Sequence, residues 1–318
     1  MRYRNLGRSA LKVSELCLGS MNFGPRTPEA EAFLMLNHAV NSGINFVDTA
    51  DQYGGHLGVG TTETLLGRWL AEDPSRREQL VLASKVYEPM SDDVNNRGLS
   101  ARHIVSACEA SLMRLGVETI DLYQMHHIDR SAPVDEIWQA MDRLITQGKI
   151  IYVGSSNFPG WGIAQTNERR GFRQQLGLVS EQGLYNLFTR QAELEVIPAC
   201  QAYGLGLMPW SPLAGGLLAG PSSTTGRRQQ LEKARGLHTD QIEAFEAFCL
   251  GLDADPSTVA VSWLLHQAAV ASVIIGPSSV VQLEQALTAP QLPLDAAMLA
   301  RLDEIFPTMG PAPEAYAW

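Results

Sequence analysis

Asp48, Tyr53, Lys85 and His126 are the side chains whose types and places in this sequence suggest proton chemistry. Asp48, Lys85 and His126 each stand at or near the end of an apolar run, in INFVDTA, LVLASKV and IDLYQMH, and Tyr53 follows Asp48 in the loop NFVDTADQYG. A lysine flanked by VLAS and VY becomes buried when its run folds, and a buried ammonium needs a partner. Asp48, one strand and helix earlier, is the natural one. An ammonium set against a phenol favours the phenolate, so Lys85 is expected to pull Tyr53 below its reference pKa of about 10 and make it a usable proton donor. Taken singly, each residue has an ordinary role as a turn cap, a lid residue or a satisfied core group. They become a site only if one architecture brings several strand ends together.

The apolar, β-branched runs that could do so are SELCLGS (14–20), INFVDTA (44–50), LVLASKV (80–86), IDLYQMH (120–126), IYVGSSN (151–157), LVSEQ (178–182), GLMPW (206–210) and SVIIG (272–276). Helix-period segments lie between them. Pro133 opens one, with Val134, Ile137, Met141, Leu144 and Ile145 as its apolar face and Gly148 as its stop. Leu65, Leu66, Trp69 and Leu70 mark another, and Ile104, Cys108, Leu112 and Leu115 a third, behind a capping Ser100. Eight strands alternating with helices predict parallel pairing and a closed (β/α)8 TIM barrel, in which chemistry sits at the carboxyl ends of the strands. An open doubly wound sheet is disfavoured, because no GxGxxG turn follows the first strand. The opening RYRNLGRSALKVSE reads as a short N-terminal β-hairpin capping the barrel bottom. No linker or composition shift marks a second domain, so residues 1–318 are read as one barrel.

At 318 residues, 45% hydrophobic and 18% charged, the chain has a core-forming balance. A net charge of −10 with scattered cations argues against nucleic-acid or anionic-membrane partners and for small molecules. The amino terminus lacks a signal-peptide core and no apolar run reaches the ~18 residues of a membrane span, which points to the cytoplasm. Cys17, Cys108, Cys200 and Cys249 stand far apart, so neither disulfides nor a metal site is expected.

With DTADQYG and DLYQMH around them, Asp48, Tyr53, Lys85 and His126 stand in the order and context of the aldo-keto reductase catalytic quartet, and the chain resembles that family over essentially its whole length. Strand alternation is expected to point the adjacent His127 away from His126, and the YxxH spacing from Tyr123 selects His126. The resemblance implies a metal-free carbonyl reductase of an aldehyde, ketone or sugar, monomeric or weakly homo-oligomeric. The substrate oxygen would lie between Tyr53, the acid, and His126, with Asp48 holding Lys85. Cofactor contacts are implied at Ser20, Met21 and Asp48, and at Ser156, Asn157 and Gln182 for the nicotinamide carboxamide. Trp210 would stack on the ring, Ser211, Leu213 and Gly215 would approach the pyrophosphate, and Gly276, Ser278, Ser279, Gln282 and Gln285 would hold the adenosine end. Phe23, Met21 and Tyr87 are candidate apolar walls.

The sequence departs from the family where Gln285 and Ala286 replace a frequent Glu and Asn, and no cation lies in 276–287. NADPH is still expected, with NADH possible, because Ser278 and Ser279 at a helix start can bind phosphate, aided by Arg227 or Arg228. Those arginines belong to a long segment, 211–238, read as a lid over the pyrophosphate together with Lys233 and Arg235. The fold also resembles channel-associated β subunits, which act as binding partners, but the chain shows neither the interaction surface nor the long N-terminal extension that role needs. A metal-dependent hydrolase would need clustered ligands. Tyr316 and Trp318 in the tail either line the mouth or fray, and fraying is the expectation.

Overall fold

The computed structural model describes residues 1–172, 174–220 and 239–317. Arg227, Arg228, Lys233, Arg235 and Trp318 lie outside the described residues, and with them most of the expected lid. Tyr316 is largely exposed in the tail.

The predicted runs all form strands. Two short ones, β1 (Tyr3–Asn5) and β2 (Lys12–Ser14), make the antiparallel hairpin. The barrel strands are β3 (Leu16–Gly19), β4 (Phe46–Asp48), β5 (Val81–Val86), β6 (Ile120–Met125), β7 (Ile150–Ser156), β8 (Leu178–Leu184), β9 (Gly206–Trp210) and β10 (Val273–Ile275). They pair in parallel in the order β10-β3-β4-β5-β6-β7-β8-β9. The seam between β9 and β10 is stitched just before β10, where Leu207 N–H donates to Ala269 O (2.9 Å) and Ala271 N–H to Leu207 O (2.8 Å). This is the (β/α)8 barrel that strand and helix alternation predicts.

Two apolar layers follow from strand alternation. Cys17, Phe46, Val81, Ala83, Leu122, Val179, Met208, Ala271 and Ile274 pack together in the barrel interior. Leu6 and Val13 of the hairpin join them and close the bottom. The hairpin turn needs Gly7, since a Cβ there would stand 2.2 Å from Val179 O. Outward residues such as Leu18, Val47, Leu82 and Tyr123 meet the buried faces of the helices, including Thr61–Glu72 and Ala101–Leu115. Ser100 caps the second of these, accepting from His103 N–H (3.2 Å). On helix Val134–Thr146 the expected face is displaced: Ile145 is exposed, and Trp138 and Ala140 are buried instead. The Trp138 indole N–H donates to Thr166 O (3.1 Å) on the neighbouring helix Gly160–Gly171, and its ring packs against the Arg170 guanidinium.

Alternation also decides what reaches the mouth. Above Phe46 comes Asp48, above Val81 and Ala83 comes Lys85, and above Leu122 come Gln124 and then His126. In β8 the period breaks: Val153 pairs with Leu178 but Ser155 pairs with Glu181, an extra residue in β8. The bulge lets both Val179 and Gln182 point inward, although they are an odd number of residues apart.

Candidate active site

Lys85 is the centre of the site and is fully buried. Its Nζ donates to Asp48 Oδ2 (2.5 Å), to Thr49 O (2.8 Å) and to Tyr53 Oη (3.3 Å). The other carboxylate oxygen, Asp48 Oδ1, accepts from Gln124 Nε2 and from Gln182 Nε2, each at 2.9 Å. Every lone-pair direction used on Asp48 therefore meets a donor, as a buried charge requires. Despite burial, which opposes its charge, the ammonium is held above its usual pKa by Asp48 and Tyr53.

Tyr53 is swung over this pair by the turn that follows β4. Tyr53 N–H donates to Ala50 O and Thr62 N–H to Tyr53 O, both at 3.2 Å. Gly54 is obligatory there, because a Cβ would stand 1.8 Å from Gly58 O. The phenol corrects the expectation drawn from Lys85 alone. Its pKa is raised: burial is the largest cause, and the lowering by Lys85 only offsets it in part. A neutral phenol is thus the resting state, and the lysine restrains the shift.

The neighbouring Asp51 is buried with neither carboxyl oxygen hydrogen-bonded. Burial, and then the charge of Glu63, push it well above the usual carboxylate range. Glu63 is itself held by Ser84 Oγ (2.5 Å) and Arg114 Nε (2.7 Å). The Lys85 ammonium bonds Asp48 rather than Asp51.

His126 packs edge-on to Tyr53, with ring centroids 6.0 Å apart. Burial, Lys85 and His127 hold its imidazole down to a pKa of about 2, so the ring is neutral, and its Nδ1 is buried without a partner. The expectation that His127 points away is overturned. The two imidazoles stack, centroids 5.1 Å apart and planes at 10°. β6 ends at Met125, and past the last strand residue the chain bends, so period-two alternation no longer governs. His127 turns its Nε2 to Glu88 (3.1 Å) and lies against Tyr87.

The predicted cofactor residues form two groups. Around the mouth, Asn157 Nδ2 donates to His126 O (3.1 Å) and Ser156 Oγ (3.0 Å), and Asn157 Oδ1 accepts from Trp210 Nε1 (3.1 Å). Ser211, Ala214 and Gly215 follow with positive φ of 55°, 50° and 72°, and Gly215 N–H donates to Ser211 Oγ. Leu213 lies in this turn. Ser20 is buried with its hydroxyl on Asp48 O (2.9 Å), whereas Met21 is exposed. Phe23 is wholly in the core and does not line the mouth, while Tyr87 does face a cavity of about 600 Å³ with His127, Arg130 and Asn157. Gln182 sits deeper than its expected place: both of its amide hydrogens are committed, to Asp48 and to Gln124.

The second group lies beyond β10. Ser278 N–H and Oγ–H both donate to Gln282 Oε1 (2.8 and 2.9 Å), and Gln282 N–H donates to Ser279 Oγ. Gly276 is open, with only Asn22 Nδ2 (3.8 Å) near a notional Cβ, and Gln285 is half-buried.

Two site residues escaped the sequence reading. Gln124 was marked by its inward position, two before His126. Glu181, buried with Ser155 Oγ (2.5 Å) and Phe158 N–H (3.0 Å) on its carboxylate, had no such signal, because the β8 bulge changes which residues face which way. Among the described residues no three His, Cys, Asp or Glu side chains are grouped to hold a metal, and no helix is long and apolar enough to cross a membrane.

The profile of the Aldo/keto reductase family matches residues 15–306. The chain belongs to the aldo/keto reductase family. It is similar over its full length, at 45% identity, to the uncharacterized oxidoreductase YrpG of Bacillus subtilis, whose own length is also wholly covered. It is 32% identical to versiconal hemiacetal acetate reductase of Aspergillus parasiticus, with 96% of each chain aligned. It is also 31% identical to a probable voltage-gated potassium channel subunit beta of Arabidopsis thaliana, over 99% of this chain and 100% of that one. Membership makes the chain an oxidoreductase of a family that generally uses nicotinamide cofactors.

Proposed function

We propose that the chain is an NADPH-dependent reductase of aldehydes or ketones, sugars included, working in the cytoplasm as a single barrel domain with Tyr53 as general acid. The observation that carries this reading is the Lys85 ammonium, shared between Asp48 and the Tyr53 phenol at the barrel mouth beside a neutral His126. The donor set fits a nicotinamide dinucleotide. Trp210 is fixed through its indole N–H, which leaves a half-exposed face for the ring, and Ser156 and Asn157 stand beside it for a carboxamide. Ser211, Leu213 and Gly215 form a tight turn suited to close approach of a pyrophosphate. When bound, the dihydronicotinamide supplies the hydride.

The chain's own groups handle the oxygen. Tyr53 donates its proton to the substrate oxygen as negative charge develops there, and the adjacent ammonium stabilises the phenolate left behind. His126, neutral and with Nδ1 enclosed, presents Nε2 as the hydrogen-bonding end that orients the carbonyl. Asp48, clamped by Gln124 and Gln182, keeps Lys85 aimed at the phenol.

Tyr53→Phe tests the assignment, since it removes the transferable proton and little else. Turnover of a good aldehyde should fall by at least ~10²-fold while NADPH affinity, read from quenching of tryptophan fluorescence, stays within a fewfold. A Phe variant within a fewfold of the parent rate sinks the acid role. The Arabidopsis relative favours a second reading, a nicotinamide-binding partner subunit. Steady turnover by the parent on any member of an aldehyde, ketone and keto-sugar panel decides for the enzyme.

A further inference from the structure

The segment expected to receive the 2′-phosphate of NADPH, 276–287, contains no cation. The fold brings one to it from elsewhere. The loop after β3 docks on this segment at two points: Asn22 Nδ2 donates to Gly276 O (3.0 Å) and Thr27 Oγ1 to Ser278 O (3.3 Å). Inside the loop, Gly24 N–H bonds Thr27 O, and both Arg26 N–H and Thr27 N–H bond Asn22 O, so the loop is tied to itself and has little freedom to retreat. Arg26 is the residue before Thr27, one Cα spacing of about 3.8 Å away. Its side chain is exposed, and its guanidinium has no hydrogen-bond or ion-pair partner among the described residues. Among the described residues, Arg68 is already occupied by Glu29 (2.6 Å).

On the segment the loop docks against, two donors already converge on one oxygen. Ser278 N–H and Oγ–H converge on one acceptor, Gln282 Oε1, the carbonyl standing where a phosphate oxygen would accept the same two bonds. We propose that Arg26, from the loop after β3, supplies the charge for the 2′-phosphate and that Ser278 supplies the neutral donors once Gln282 moves aside, which makes Arg26 the residue that sets preference for NADPH over NADH. The proposal rests on the nicotinamide reading above. A guanidinium suits the task, because its planar fork bonds two phosphate oxygens at once.

The test compares dissociation constants of NADPH and NADH for the parent, Arg26→Ala and Arg26→Lys, by quenching of tryptophan fluorescence, at low and moderate salt. One charge-assisted contact is worth about 10- to 100-fold, so Arg26→Ala should weaken NADPH by that factor, leave NADH within about twofold, and flatten the salt dependence of NADPH binding. Arg26→Lys should recover part of the loss. Equal weakening of both cofactors would make the loop merely structural and overturn the proposal. So would an unchanged NADPH affinity in Arg26→Ala, including the case in which Arg227→Ala/Arg228→Ala carries the whole loss. A parent that binds neither cofactor would bring down the nicotinamide reading and this proposal together, and is distinguished from the other failures by the absence of any quenching.

Discussion

Replacing Lys85 by Met removes the buried ammonium at nearly constant length and strands the Asp48 carboxylate inside the barrel. Breaking a buried ion pair from one side costs about 3–5 kcal/mol. Here the stranded group keeps two amide donors at 2.9 Å, Gln124 and Gln182, each worth about 1.5–3 kcal/mol to a charge, so the loss should fall near the lower end, about 3 kcal/mol. Adding Asp48→Asn removes the second charge and should return the protein to within about 1–2 kcal/mol of the parent, a positive coupling that only a true pair produces. Neither variant should regain activity, because each leaves Tyr53 without the ammonium. The pH dependence has a definite sign. A stranded carboxylate can neutralise itself with a proton, so the folded Lys85→Met protein binds more protons than its unfolded chain, and its deficit should shrink from pH 8.5 to pH 5.5. Urea denaturation at both pH values, with aldehyde turnover alongside, measures all of this. A double variant no more stable than Lys85→Met alone, or a deficit independent of pH, would show that the pair is not the electrostatic unit its geometry implies.

Glu181, fully buried, is pushed up by burial to about 8, so the folded protein holds a proton that the unfolded chain loses from about 4.5 upward, and stability should fall as pH rises through that window. Glu181→Gln cannot ionise and should therefore gain on the parent, by about 3–5 kcal/mol, between pH 5 and pH 9 in urea titrations; parallel curves for the two proteins would refute it. His126, held near 2, has the opposite sign: the unfolded chain takes up the proton first, so stability is lost as pH falls below about 6.5, and His126→Gln should flatten that acid limb. The kcat/KM profile of the parent should show no step from this imidazole between pH 5 and 8, and an acid limb in that range that vanishes in His126→Gln would contradict the neutral ring.

How much of this was legible in the sequence follows from which interactions are local. The eight runs and their helices were readable because period and capping are written in neighbouring residues, and the quartet was readable because Asp48, Lys85 and His126 share one strand-end position in successive units. Gln124 was equally local and was recoverable from alternation. What a single strand cannot state is how its neighbours are registered. The extra residue in β8 exists only relative to β7, so the sequence could not show that Gln182 would be drawn down onto Asp48 or that Glu181 would be sealed beside Ser155. The balance at Tyr53 was hidden for a similar reason: the lysine's pull is visible from residue types, but the larger opposing cost of burial depends on everything packed around the phenol. The same holds for Arg26. The sequence placed it 250 residues from the segment its loop docks on and displayed that segment as lacking a cation; only closure of the barrel, with β10 against β3, brings the loop and the segment together. Chain-local chemistry fixed the elements and the identity of the central pair, whereas register, burial and barrel closure decided what surrounds that pair, because those are properties of distant segments in contact.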